Sequence, residues 1–358
     1  MNPGAGGRRR GGERAGQQAA DDRPAPPLPP GGGLLLVDKP SGCTSHDVVG
    51  RLRQVLRTRR IGHAGTLDPM ATGLLVLAID RSTKLLGHLA LTDKTYVGTI
   101  RLGQQTDTDD ADGTVIRTPV EADLGQVTDG AIEAGVAVLT GQLNQVPSSV
   151  SAIKVGGRRA YHLVRAGETV ELAARSVTVS RFDIIGSPRR GDGDHGPFID
   201  LDVGVDCTTG TYVRSLARDL GAGLGVGGHL TSLRRTRVGP FGVQAAVDVF
   251  GTDAAVIGLD VPPARAEPGR SGPPRPPVTA SFAADIAGAI IPAARAVRLS
   301  FPVRTVDDAQ SLDLRHGRTI ETAGIPGTYG AFDQAGALVA LVVEQGGTAR
   351  SVLGWQIC

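Results

Sequence analysis

Apolar and polar positions divide the chain into short, well-marked elements. Leu34 to Val37 is an unbroken apolar run of strand length, and Lys39-Pro40-Ser41-Gly42 behind it reads as a turn. Val48, Val49, Leu52, Val55 and Leu56 then recur at helical spacing. This predicts an amphipathic helix capped by Ser45 and running to about Arg57. Leu74 to Ile79 is a second continuous apolar run, the mark of a buried strand. Lys94 to Leu102 alternates instead, with Tyr96, Gly98 and Ile100 on one face. Farther on, residues 128–141 read as a helix ending at Gly141, residues 186–197 as a polar loop, and 198–206 as a strand leading into Cys207.

Two stretches break this pattern. Residues 1–33 are rich in Arg, Gly and Pro, with Arg8 to Arg10 in a row, and predict a disordered tail. From Leu259 to Ser281 there are seven prolines in 23 residues, which predicts a semi-rigid linker. The expected organisation is therefore a tail (1–33), a main domain (34–258), a linker (259–281) and a small C-terminal unit (282–358). In that last unit LDLRHGRTI and YGAFDQAGALVALVVE suggest short strands and hairpins.

Composition narrows the class. The 358 residues hold no apolar run long enough to span a bilayer, and no apolar core follows the N-terminal arginines as it would in a secretory signal. Cys43, Cys207 and Cys358 are isolated in sequence, so neither a disulfide framework nor a zinc site is expected, and a cytoplasmic location follows. The net charge of +2 comes from the tail, whose five arginines face three acids, so the body is formally neutral. If the body binds RNA, its cations must be gathered on one face.

Candidate chemistry concentrates between Ile61 and Ile79, IGHAGTLDPMATGLLVLAI, where Asp68 sits in a loop shaped by Gly62, Gly65, Pro69 and Gly73. An acid on a rigid loop beside a strand suits catalysis. It suits equally well an N-cap with Pro69 as the first helical residue, and on this stretch alone the cap is the simpler reading. Upstream, Arg51, Arg53, Arg57, Arg59 and Arg60 place five arginines within ten residues, a solvated face or a phosphate-contacting one. Downstream, QQTDTDDADG carries four aspartates but lacks the spacing and distal glutamate of a calcium loop.

Four blocks in order resemble the TruB-type tRNA pseudouridine synthases: GHAGTLDPMATGLL, KTYVGTIRLGQQTDTDDADG, CTTGTYVRSLARDLG and HLTSLRRTRVGPF. The resemblance covers about Leu34 to Gly258, while residues 282–358 are similar to the family's PUA-like RNA-binding domain only weakly. Where the family has a proline pair and an aromatic before its Ser-Ala, this chain has Ser148 and Val150 in those places. The fold it implies is α+β, a central mixed and mostly antiparallel sheet plus a small C-terminal β-rich domain.

The resemblance also implies an activity, isomerisation of uridine-55 in the T loop of tRNA after the base is flipped out. It assigns Asp68 as the catalytic carboxylate, Arg214 as its charge partner and Tyr96 as the ring beside the base. His63, Tyr212, Leu233 and Lys39 are implied substrate-binding positions, and Lys84, Arg234, Arg235 and Arg237 are further candidate phosphate contacts. No redox step or group donor enters the reaction, so no cofactor and no metal are expected, and the expected partner is the tRNA T arm, bound by a monomer without guide RNA or membrane. Two other readings stay open: an RNA-binding tRNA-folding helper in which turnover is incidental, and a guide-dependent relative acting on ribosomal RNA.

Overall fold

The computed structural model describes residues 24–89, 92–118, 121–148, 154–155, 157–159, 172–251, 273 and 275–355. The expected tail up to Arg23, position Val150 and linker residues 259–272 lie outside the described residues. In chain order, β1 (Gly33–Lys39), α1 (Ser45–Leu56), β2 (Ile61–Ala64), β3 (Thr72–Ile79), α2 (Leu86–Leu89) and β4 (Lys94–Leu102) open the fold. Next come β5 (Gln105–Thr106), β6 (Val115–Arg117), α3 (Glu121–Gly125), α4 (Asp129–Val138), β7 (Gly141–Gln145), β8 (Lys154–Val155) and β9 (Arg158–Arg159). A long hairpin of β10 (Arg175–Gly193) and β11 (Gly196–Cys207) leads to α5 (Val213–Gly223), β12 (Gly228–Val238) and β13 (Phe241–Gly242). Last are α6 (Ala280–Gly288), β14 (Ile291–Pro292), α7 (Ala293–Ser300), β15 (Val303–Thr305), α8 (Asp308–Arg315), β16 (Thr328–Phe332), β17 (Leu338–Gln345) and β18 (Thr348–Gly354).

The large sheet runs β14-β1-β3-β12-β4-β11-β10-β7, with β2 on β3 and β13 on β12. It is mixed and mostly antiparallel: β12 and β3 are parallel, and the other pairs are antiparallel. β1 and β3 are continuous apolar runs because both of their faces are covered. Leu35, Val37, Leu75, Leu77 and Ile79 pack toward Val48, Leu52 and Val55 of α1. Leu34, Leu36, Leu74, Val76 and Ala78 pack on the other side, with Ala296 and Val297 of α7.

The other half of the sheet alternates. Ile199, Leu201, Val203 and Val205 of β11 join Tyr96, Ile100 and Leu102 of β4 in a core under α4 and α5. The intervening residues form an ionic ladder on the opposite face. Arg101 pairs with Asp200 at 2.7 Å, Arg189 with Asp202, and Arg181 bridges Asp183 and Asp206 at 3.0 and 2.8 Å, with Arg237 3.7 Å from Asp206.

Several elements differ from expectation. The cap of α1 is Thr44, which closes a capping box with Asp47, while Ser45 is buried. The helix expected over 128–141 stops at Val138, and Gly141, at φ +105°, opens β7 instead. Residues 186–197 continue the β10–β11 hairpin rather than looping, and they read as polar because most of them are exposed or half-buried.

The expected tail and domain boundaries shift as well. Leu28 packs on the α1 core, and Gly31 lies against Trp355, its φ of +73° allowing the turn into β1. Pro276 accepts a 2.6 Å hydrogen bond from Arg51, and Val278 packs on the same core. The expected start at 282 cuts through α6, whose Ala283, Ile286 and Ala287 cover α1, and β14 adds to β1. The separate C-terminal sheet runs β15-β16-β17-β18. It has its own core around Tyr329, Val339 and Val342, yet Phe332, Leu338, Leu341 and Trp355 share a cluster with Leu34 and Leu74. Pro276 and Val278, at the C-terminal end of the proline-rich stretch, are therefore packed on the main body.

Because Ile286 fills the α6–α1 contact, Ile286→Ala is expected to destabilise the whole main body by about 2–5 kcal/mol. Urea unfolding followed by far-UV circular dichroism checks this; an unchanged midpoint would mean α6 contributes nothing to that core.

Candidate active site

Asp68 lies on the turn that joins β2 to β3, and most of the carbonyls along that turn have a partner. Arg235 donates to the Gly65 and Leu74 carbonyls at 3.0 and 2.7 Å. Ser45 Oγ donates to the Leu67 carbonyl and accepts from the Leu67 amide, at 3.2 and 3.0 Å. Lys39 Nζ donates to the carbonyls of Pro69, Pro40 and Cys43 at 3.2, 3.0 and 2.7 Å. The Ala71 amide donates to the Asp68 carbonyl at 3.1 Å, and Ser41 Oγ donates to that of Met70, also at 3.1 Å. No helix starts here, so the capping reading of Asp68 gives way to a fixed turn that presents the carboxylate.

Two glycines make this packing possible. Gly65 has φ +79°, and a β-carbon there would sit 3.3 Å from Arg235 Nη1. At Gly73, with φ +98°, a β-carbon would fall 2.3 Å from the Arg235 carbonyl, where β3 and β12 run parallel. Any side chain would part the two strands.

Arg214, in the first turn of α5, comes to Asp68 from the far side of the cleft. Its Nη2 donates to Oδ1 at 3.2 Å, and its Nε lies 3.0 Å from Oδ2 in ion-pair contact without being aligned to donate, so both carboxylate oxygens face the guanidinium. The arginine side chain is 4% exposed whereas that of Asp68 is 36% exposed, so the carboxylate meets solvent and its partner does not. Gln145 sets the start of α5: its side chain accepts from the Tyr212 amide at 2.8 Å and donates to the Tyr212 carbonyl at 3.1 Å.

The same arginine serves a second acid. Nη1 lies 3.3 Å from Asp110 Oδ2 and donates to the Thr108 carbonyl at 2.8 Å and to Ser148 Oγ at 3.3 Å. Asp109, held at φ +61°, turns the chain so that Asp110 points inward. Burial pushes the Asp110 carboxyl up to about 6, and Arg214 and the Thr108 hydroxyl oppose that rise. Sequence reasoning missed Asp110, since nothing local separates it from the other aspartates of its turn. Ser148 does enter the site, as a partner of Arg214.

Tyr96 and Leu233 are buried in the same core cluster as Leu67, directly under the turn. Burial first, and the neighbouring Cys207 and Asp68 to a lesser degree, push the Tyr96 pKa up, while the Arg235 guanidinium opposes that rise. His63 on β2 is half-buried beside the turn. Tyr212 stands at the N-cap of α5.

The basic residues divide differently from expectation. Lys39 is fully buried among carbonyls, and burial lowers its ammonium to about 8, so it holds the turn and does not reach a phosphate. Arg235 is buried beneath the turn, and Arg234 is buried in a fork with Asp38 at 2.9 and 2.6 Å. Arg237 belongs to the ionic ladder, donating to Thr95 Oγ1 at 2.9 Å. Arg51 donates to the Val249 carbonyl at 3.0 Å and leaves the row of surface arginines. Arg53, Arg57, Arg59, Arg60 and Lys84 remain exposed. Each buried cation satisfies carbonyls or a carboxylate, and apart from the Pro40 and Cys43 carbonyls under Lys39 these lie far off in sequence, where no local pattern announces them. Among the described residues, no group of three or more His, Cys, Asp or Glu side chains is arranged to hold a metal ion.

The sequence places this chain in a known family of pseudouridylate synthases. Residues 53–213 match the family described as "TruB family pseudouridylate synthase (N terminal domain)". Residues 214–254 match "tRNA pseudouridylate synthase B C-terminal domain", and 301–355 match "tRNA Pseudouridine synthase II, C terminal". A tRNA pseudouridine synthase B of Nocardia farcinica is 51% identical over 321 residues, 89% of this chain and 92% of the relative. One of Thermobifida fusca is 47% identical over 321 residues, 89% of this chain and 97% of the relative. The chain belongs to the TruB family. The solved Cbf5-Nop10-Gar1 complex contains a chain of the same fold, with a TM-score of 0.60 at 22% identity over 95% of this chain and 92% of that one.

Asp110 provides a pH test. Its pKa is higher in the folded chain than in the unfolded one, so the folded state binds the proton more tightly. Its contribution to stability is therefore greatest below the ordinary carboxylate range and is lost as pH rises toward 6. The stability difference between wild type and Asp110→Asn is expected to change by on the order of 2 kcal/mol across that window. Urea melts at a series of pH values measure it; a pH-independent difference would show that Asp110 titrates normally.

Proposed function

We propose that this chain converts uridine-55 in the T loop of tRNA to pseudouridine, with Asp68 as the catalytic carboxylate. The observation that carries the reading is the Arg214–Asp68 ion pair on a turn pinned from both sides, in a chain of the TruB family. The tRNA-modifying names of its relatives supply the substrate class. The enzyme works as a cytoplasmic monomer on the T arm, without guide RNA.

The reaction is an isomerisation. The C1′–N1 bond breaks, a C1′–C5 bond forms, the C5 proton leaves, and N1 takes up a proton. The ribose is left electron-poor as the base departs, and the Asp68 carboxylate places negative charge beside it. Arg214 holds that carboxylate oriented, so the orienting cost is met before the substrate arrives. The flipped uracil rests over Tyr96 and Leu233, and the apolar floor they share with Leu67 keeps water from the detached base. Tyr96, whose burial and neighbouring Asp68 keep it protonated, offers its ring for stacking and its hydroxyl for moving the C5 proton. Exposed Arg53, Arg57, Arg59 and Arg60 lie just upstream of the turn and meet RNA phosphates.

Asp68→Asn keeps the volume and the turn but removes the charge. Binding of unmodified tRNA transcript is expected within about tenfold of wild type, a change of roughly 1.4 kcal/mol or less. Release of label from the uridine C5 position should fall to background. Single-turnover assays beside filter binding decide this, and substantial product from the variant would leave an RNA-folding role as the better account.

Arg214→Lys keeps one positive charge and loses the planar guanidinium. Turnover is expected to fall by about 2–4 kcal/mol in the barrier, with tRNA affinity little changed. A variant turning over at the wild-type rate would show that point charge alone suffices.

A further inference from the structure

One turn farther along α5 from Arg214, on the same side of the helix, stands Arg218, half-buried. Its Nη2 donates to the Val146 carbonyl at 2.8 Å, its Nη1 to Asp109 Oδ2 at 3.4 Å and its Nε to Asp219 Oδ1 at 2.9 Å. Asp219 is the next residue of the same helix and braces the guanidinium. Asp109 and Val146 belong to two other segments, so Arg218 joins three pieces of chain.

Those two segments are the ones that surround Arg214. Asp109 stands between Thr108, whose carbonyl accepts from Arg214 Nη1, and Asp110, whose carboxylate faces the same nitrogen. At φ +61° Asp109 holds a conformation that few residues with a β-carbon adopt. Its own side chain goes to Arg218 while both of its neighbours turn to Arg214. Val146 directly follows β7 and comes two residues before Ser148. The Ser148 hydroxyl accepts from Arg214 Nη1 and donates to the Thr108 carbonyl at 3.2 Å. Each of these Arg214 contacts therefore lies within two residues of a group that Arg218 holds. Arg218 also eases the burial of Asp109. Burial pushes that carboxyl up, and Arg218 opposes the rise more than Ser148 or Arg214 does.

We propose that Arg218 is a positioning residue for the isomerisation. It acts through Arg214, fixing the Thr108–Asp110 turn and the segment after β7 at the separation that lets Arg214 face Asp68 and Asp110 together. The proposal rests on the pseudouridine-forming reading and adds to it a control on the arginine rather than on the base. It also gives the left-handed backbone at Asp109 a use, since an unpaired turn would relax and carry Asp110 away from Arg214.

The test uses the full chain and unmodified tRNA transcript, measuring kcat, KM and filter-binding affinity well below the thermal midpoint of every variant. Arg218→Ala is expected to lower kcat by about ten- to hundredfold, the scale of a misplaced orienting group. KM and affinity should stay within about threefold, as for a group that matters only in the transition state. If alanine unfolds the chain, Arg218→Gln, which can still donate to the Val146 carbonyl, carries the same expectation. Arg218→Lys keeps the charge against Asp109 and should bring kcat back to within about fivefold of wild type. Added to Arg214→Lys, Arg218→Ala should lower kcat by no more than about threefold further, because it acts through that arginine. Wild-type kcat in Arg218→Ala, a loss confined to KM and affinity, no recovery with lysine, or multiplicative losses in the double variant would each overturn the proposal. A wild-type chain that binds the transcript but makes no pseudouridine would sink the functional reading instead. Urea melts then decide the positioning: the coupling between Arg214→Met and Asp110→Asn should fall to about half or less in an Arg218→Ala background. An unchanged coupling there would overturn it.

Discussion

Two buried cations whose hydrogen bonds end on backbone carbonyls hold the turn that carries Asp68 in shape. Lys39 collects the carbonyls of Pro40, Cys43 and Pro69, and Arg235 those of Gly65 and Leu74. Burying an ammonium or guanidinium is costly unless its protons are satisfied. The turn satisfies them only in one conformation, so the cost of burial becomes a penalty on every other shape of residues 65–71. Burial lowers the Lys39 ammonium to about 8, although the Asp68 carboxylate above it still meets solvent. Asp68 inherits this rigidity, and Arg214 then has only its carboxylate to orient.

Much of the fold was legible where periodicity and burial coincide. The unbroken runs of β1 and β3, the stripe of α1 and the alternation of β4 all follow from which faces are covered, and the structure covers those faces. The β10–β11 extension was hidden because a ribbon exposed on both sides shows no alternation. The packing of α6 was hidden too, since a proline-rich stretch reads as a tether whether or not the segments beyond it return to the core.

The candidate site was legible to a different depth. Asp68, Tyr96 and Arg214 were found through ordered motifs, and the structure brings them around one turn. Lys39, Arg51, Arg234 and Arg235 looked like surface cations because the fold, not the local sequence, brings up most of the groups that satisfy them, as with Arg234 and Asp38. Asp110 was unreadable for the same reason, its significance depending on an arginine more than a hundred residues away.

The ionic ladder on the open face of the sheet has an electrical consequence. Arg101, Arg181, Arg189 and Arg237 stand against Asp183, Asp200, Asp202 and Asp206, so that surface is polar yet carries no net charge of its own. Around the end of α1, Arg60 pairs with Asp80 at 3.3 Å, and Arg53, Arg57 and Arg59 are exposed. A polyanion diffusing past meets a field on one side of the molecule and almost none on the other. Close to the protein it is turned before it touches, and adding salt slows its arrival more than it changes its final fit.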